Sequence, residues 1–264
     1  MEKTSDSNGK QKVRSAEVGT DILKALAELS PSTSLSRLAE HVQMPASKVH
    51  RYLQALIASG FAEQNTATNH YGLGREALRV GLAALNSMDV LKVAALPLAE
   101  LRDELNETCF LAVWGNQGAT VVHIEPAVRA VTVVTQLGSV LPLLSSSTGL
   151  VFAAYLPHRE TDELREQEIA SGGQPLADEK AYEALCEQIR ERGLHHVHGL
   201  LMPGVDALSA PVFNALGQVA AVLTIVGPTS LFHADENGPA AQRLLAATRA
   251  VSWRMGHEPQ ALDA

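Results

Sequence analysis

At 264 residues with 46% hydrophobic and 19% charged side chains, the chain has room for two globular domains, one small and one larger, and its composition excludes an intrinsically disordered protein. Its 21 basic and 29 acidic residues give a net charge of −8, which excludes indiscriminate nucleic-acid binding. The charge is split: residues 1–88 hold 10 Lys/Arg and 8 Asp/Glu, leaving 11 and 21 for residues 89–264, so contact with a polyanion is confined to a basic head on an acidic body.

The N-terminal run MEKTSDSNGKQKVRS is polar throughout and reads as a flexible tail over residues 1–15, not as a secretory signal. Val18, Ile22, Leu23, Leu26 and Leu29 form one helical stripe, stopped by Pro31. Leu35, Leu38, Ala39 and Val42 mark a second helix with Ser34 as its N-cap. Pro45 suits the first turn of a third, whose stripe is Val49, Leu53, Leu56 and Ile57 and whose end is Gly60. The opposite face of that third helix offers Ser47, Lys48, His50, Arg51 and Gln54, and no acid occurs between Glu40 and Glu63. Two short helices in this order, with a basic outer face, are the pattern of a helix-turn-helix. Phe61–Glu63 and His70–Leu73 read as two strands around the turn-prone NTATN, which is the wing of a winged helix. Residues 16–74 thus read as a winged-helix head whose basic face either meets DNA or is simply solvated.

Residues 75–88 read as a linker helix whose Leu78, Leu82 and Leu85 exceed what a wing can cover. Two readings stand for this face: pairing with a second copy, or packing on the chain's own next domain. Asp89 or Ser87 caps the following helix, which Pro97 is expected to bend. Strands are then expected at Cys109–Gly115, Thr120–Glu125, Ala130–Gln136, Leu194–His198, Ala207–Phe213 and Val219–Val226. Helices are expected at Ser147–Leu156, Thr161–Ala170, Asp178–Arg192 and Pro239–Met255. Residues 89–257 therefore read as an α+β domain with an antiparallel sheet and helices mostly on one face, and the whole chain as α/β (α+β).

Two chemistries are weighed and set aside. Cys109 and Cys186 lie far apart without ligand spacing, as in two reduced thiols of a cytoplasmic protein, and no nucleophile elbow or phosphate loop occurs, so no enzyme is expected. His195, His196 and His198 are half of a metal site at most, with exposed or capping histidines as the plainer reading, so neither metal nor cofactor is expected. No apolar run is long enough to cross a bilayer.

From about Ala16 to Met255 the chain resembles the IclR family of transcriptional regulators. The segments that carry the resemblance are LAEHVQMPASKVHRYLQALIASGF, YGLG at Tyr71–Gly74, GSVLPLLSSSTGLVFAAYLP at Gly138–Pro157 and ALSAPVFNALGQVAAVLTIVGP at Ala207–Pro228. The resemblance implies a winged-helix head on a double-stranded operator, a GAF-like domain that binds a small organic effector, and a homodimer or dimer of dimers controlling a catabolic operon. By position, Arg37, Ser47, Lys48, His50, Arg51 and Tyr52 meet DNA. Arg51 either reads guanine or clamps a phosphate, and Tyr52 either supports the helix or reaches the backbone. The implied effector residues are Val133, Leu141, Ser147, Thr148, Val197, Ala207 and Thr224, with Ser209 beside them. The run SSSTG is a ready anion site at a helix N-terminus, or plain capping. Val197 stands where some members carry an acid and Ala207 where many carry a cysteine, which favours a carboxylate with an apolar body such as an aromatic acid. The alternatives are a winged-helix scaffold, or a metal-responsive regulator using the three histidines.

Overall fold

The computed structural model describes residues 6–87, 89–129, 135–171 and 178–258. The chain divides into two compact units, Met1–Met88 and Asp89–Ala264.

In the first unit, α1 (Asp6–Glu28), α2 (Leu35–His41) and α3 (Ala46–Ala58) enclose a core of Ile22, Leu26, Leu38, Val49, Leu53 and Tyr71. α1 starts at Asp6, within the stretch expected as a tail. Ser34 caps α2 as expected, accepting from the Arg37 N–H at 3.3 Å. Pro45 sits just outside α3, and its carbonyl accepts from the N–H groups of Lys48 and Val49 at 2.9 and 3.1 Å. Beyond α3, Gly60 takes a φ of +78°, letting the Phe61 N–H return to Leu56 O at 2.8 Å. The wing is β1 (Ala62–Gln64) antiparallel to β2 (Tyr71–Leu73), joined by an Asn65 side chain that accepts from the N–H groups of Ala67 and Thr68. Gly74 closes the wing, where a Cβ would lie 2.9 Å from Ala62 O. Then α4 (Arg75–Ser87) leaves Leu78, Val80 and Leu82 at 63%, 53% and 49% exposure. The Leu85 side chain lies outside what is described.

In the second unit, α5 (Val90–Leu105) is capped by Asp89 and runs unbroken through Pro97. The strands are β3 (Thr108–Gly115), β4 (Gly118–Glu125), β5 (Val140–Leu141), β6 (His195–His198), β7 (Val205–Phe213) and β8 (Val219–Pro228). They form one antiparallel sheet in the order β5-β4-β3-β8-β7-β6. The helices are α6 (Ser147–Tyr155), α7 (His158–Ala170), α8 (Glu179–Arg192) and α9 (Pro239–Arg254). Of the strand expected at Ala130–Gln136, residues 130–134 lie outside the described residues, and Thr135 and Gln136 are not in a strand. Helices cover both faces, not mostly one. Phe110 and Ala112 join the core under α6, while the alternating Cys109 and Leu111 are buried on the side where α5 and α9 pack. Among the described residues no helix is long and apolar enough to cross a membrane.

Candidate functional site

The head presents the expected polar face. Arg37 of α2 and Ser47, His50 and Arg51 of α3 are exposed, and Lys48 is half-buried. His50 Nε2 lies 3.4 Å from Gln54 Nε2, so these two share the outer face one helical turn apart. Tyr52 turns the other way. Its ring packs against the three-helix core, its hydroxyl lies 3.2 Å from Ser15 Oγ of α1, and the Arg51 guanidinium sits 5.8 Å from its ring centre. Of the two readings for Tyr52, this geometry favours support of the helix. Tyr52→Phe is expected to change operator affinity by less than about twofold in a gel-shift titration; a tenfold loss would instead place the hydroxyl on DNA.

The second unit contains a cavity of about 300 Å³ between the N-terminus of α6 and strands β3, β6, β7 and β8. Leu141, Ser147, Thr148, Val197, Ala207 and Thr224, all implied by the resemblance, line it. Ser209 stands one layer behind: it is fully buried, with Oγ 2.8 Å from Thr224 Oγ1, which is itself 2.8 Å from Thr148 Oγ1. Val133 lies outside the described residues. The sequence reading missed Phe110, Val205, Val226, Leu201 and Met202. Two of these had a signal, since Val205 and Val226 are the i±2 neighbours of Ala207 and Thr224 and share their faces. Leu201 and Met202 sit in the β6–β7 connection and had none.

The donors sit at one end of this cavity. Ser146 is the N-cap of α6: its Oγ accepts from the Gly149 N–H at 2.9 Å and donates to Pro142 O at 2.6 Å. Ser147 Oγ donates to His195 O at 2.8 Å. The backbone N–H groups of Ser147 and Thr148 meet no protein acceptor among the described residues and lie at the positive end of the helix. None of the lining residues is acidic. The cavity thus pairs a helix N-terminus with apolar walls and a buried hydroxyl cluster.

The three histidines are committed elsewhere. His198 Nδ1 lies 2.9 Å from Asp206 Oδ2, and His196 Nδ1 lies 3.4 Å from Glu236 Oε2. Burial, then the charges of His196 and Arg192, push His195 down to about 4, so it is neutral at pH 7. Among the described residues no three ligating side chains are grouped to hold a metal, and the metal-responsive alternative gains no support. Burial alone would raise the Asp206 carboxyl, but hydrogen bonds from Thr229 (2.7 Å) and His198 outweigh it and hold the group below its ordinary range. Its stabilisation is therefore present above the unfolded pKa of about 3.9 and is lost as pH falls through the lower folded value. Thr229→Val removes one of those bonds. The variant is expected to unfold at a higher pH on acid titration and to lose about 1 kcal/mol at pH 7 in urea melts.

The thiols carry no reactive chemistry. Cys109 and Cys186 are buried and unpaired, and burial pushes the Cys109 thiol up to about 12, far from any thiolate at neutral pH.

Comparison with known proteins gives two family matches in chain order. Residues 15–66 match the IclR helix-turn-helix domain, and residues 82–253 match the C-terminal domain of the bacterial transcriptional regulator IclR. The crystal structure of Pseudomonas aeruginosa HmgR is similar at 78% identity and a TM-score of 0.86, over 94% of this chain and all of that one. The HTH-type transcriptional regulator KdgR of Escherichia coli is 26% identical over 238 residues, spanning 89% of this chain and 90% of that protein. The glycerol operon regulatory protein of Streptomyces griseus is 27% identical over 248 residues, spanning 92% and 97%.

Proposed function

Because the chain belongs to the IclR family, and is therefore a ligand-responsive DNA-binding transcriptional regulator and not an enzyme, we infer that its effector is a small aromatic carboxylate and that its operator is read by α3. The observation that carries the effector reading is the donor end of the cavity: two N–H groups at the start of α6 that meet no acceptor among the described residues, with no carboxylate among the lining residues to oppose an anion. A volume of about 300 Å³ is at the small end of ligand sites and suits a single ring. Phe110, Leu141, Val197 and Ala207 offer apolar walls to that ring. The Thr148–Thr224–Ser209 cluster puts hydroxyls that can donate or accept beside the ring, which suits a ring hydroxyl.

Residues 16–74 act as the head, 75–88 as the linker and 89–257 as the effector domain of a cytoplasmic protein. Ser47, Lys48, His50 and Arg51 face the major groove, with Arg37 on a flanking phosphate. The apolar Leu78 and Leu82 of α4 suit the first of the two linker readings, a second copy, because a two-fold operator requires one. An effector that binds the operator-competent and incompetent states unequally shifts their populations and thereby controls an adjacent catabolic operon. The test is thermal stability of the full chain across a panel of benzoates, hydroxybenzoates, their amides and short aliphatic acids. Aromatic acids are expected to raise Tm and the others not; a panel in which amides or aliphatic acids do equally well refutes the assignment.

A further inference from the structure

The segment that presents the pocket's donors is held from behind by a carboxylate that lines no part of the pocket. Glu168 of α7 accepts from the Leu143 N–H through Oε1 at 2.6 Å and from the Leu144 N–H through Oε2 at 2.9 Å. Two successive N–H groups aimed the same way match the paired oxygens of a carboxylate, and no single hydroxyl can serve both. Both leucine side chains are fully buried, so the turn is pinned by packing on one side and by this charge on the other. Three and four residues beyond Leu144 come the N–H groups of Ser147 and Thr148, which meet no acceptor among the described residues. A second cavity of about 330 Å³, with Ser145, Leu164, Glu168 and Ser171 among its lining, lies on the α7 side of the turn, and Leu141 lines both cavities. The turn is thus a wall between the pocket and Glu168.

We propose that Glu168 is a positioning residue for the effector site: by fixing Leu143 and Leu144 it aims the Ser147 and Thr148 N–H groups at the effector carboxylate and sets the preference for an acid over its neutral isostere. This rests on the carboxylate reading above. Coulomb's law alone predicts the opposite sign, because a negative charge behind the wall repels an anion and its removal should tighten acid binding. Positioning predicts weaker acid binding when the charge is removed, since donors that lose their alignment lose most of a charge-assisted hydrogen bond.

The experiment titrates 4-hydroxybenzoate and 4-hydroxybenzamide into the full-length wild type, Glu168→Gln and Glu168→Asp by calorimetry. The wild type is expected to prefer the acid, and Glu168→Gln to lose about tenfold of that preference while the amide's affinity changes by less than threefold. Glu168→Asp keeps the charge with a shorter reach and is expected to retain part of the preference. Hydrogen exchange in Glu168→Gln should accelerate first over residues 143–148. Acid binding by Glu168→Gln that is unchanged or tighter overturns the positioning role and leaves the carboxylate reading standing. A wild type that does not favour the acid overturns both. If Glu168→Gln does not fold, Glu168→Asp decides by the same acid-to-amide ratio, and a ratio equal to the wild type's overturns the proposal.

Discussion

A chain carrying Lys48→Ala and Arg51→Ala together is expected to lose at least about a hundredfold of its operator affinity, because each contact of this kind is worth roughly 1–3 kcal/mol and the proposed dimer loses four. Both side chains stand on the side of α3 away from its buried Val49 and Leu53, so their removal leaves the helix and its core in place. The variant should therefore melt within about 0.5 kcal/mol of the wild type, as surface substitutions generally do. Salt dependence separates the two readings of Arg51. If it clamps a phosphate, Arg51→Ala alone lowers the slope of log K against log salt by about 0.9 for each arginine on the duplex and weakens all sequences alike. If it reads guanine, the slope changes little and discrimination against a substituted G·C pair is lost. Gel-shift titrations at three salt concentrations with wild-type and substituted operators decide. An affinity equal to the wild type's in the double variant would remove α3 from the interface.

The parts of this molecule that could be read from the chain are those set by neighbours in sequence. Ser34, Asp178, Gly60 and Gly193 each announce a helix end by local chemistry, and each stands where that chemistry places it. The polar face of α3 is likewise a matter of helical spacing, whereas the pocket residues came from the resemblance to the family and not from any spacing in this chain. What escaped was decided by partners distant in sequence. The two readings of Tyr52 could not be separated by its neighbours in sequence, because its hydroxyl lies against Ser15 of α1, 37 residues away. The two-residue β5 is too short to show any periodicity, and it exists because β4 pairs with it through Ala119 and Thr120. The start of α1 leaves no mark either, because the polar run that opens with Asp6, Ser7, Asn8 and Gly9 carries no stripe and little helix propensity. Glu168 gave no signal at all: it sits 25 residues beyond Leu143 on an exposed, charged helix, and only the fold shows that its two oxygens are spent on backbone.

The same turn supplies the prediction with the largest effect on the second unit, Gly149→Ala. Gly149 is the third residue of α6, and its N–H is held by the Ser146 hydroxyl. A Cβ built there would lie 2.6 Å from Leu143 O and 2.7 Å from Leu143 Cα, and closer still to Pro142 O. All three are backbone atoms, so no rotamer change relieves the overlap and the Pro142–Leu144 segment must move. Helix propensity favours the alanine by about 1 kcal/mol, but forced overpacking in a buried site costs roughly 1–3 kcal/mol and more where backbone must yield. The steric term is the larger, and it acts on the one segment that Glu168 pins and that leads into the Ser147 and Thr148 donors. The expected result is a loss of roughly 2–3 kcal/mol in stability together with a loss of acid-induced stabilisation, while the head, a separate compact unit, keeps its operator affinity. Paired measurements of Tm with and without 4-hydroxybenzoate and of gel-shift affinity check all three. A Gly149→Ala protein as stable and as acid-responsive as the wild type would mean that the turn over α6 is loose, and the N–H groups it is said to aim would then be an ordinary helix cap with no bound anion to serve.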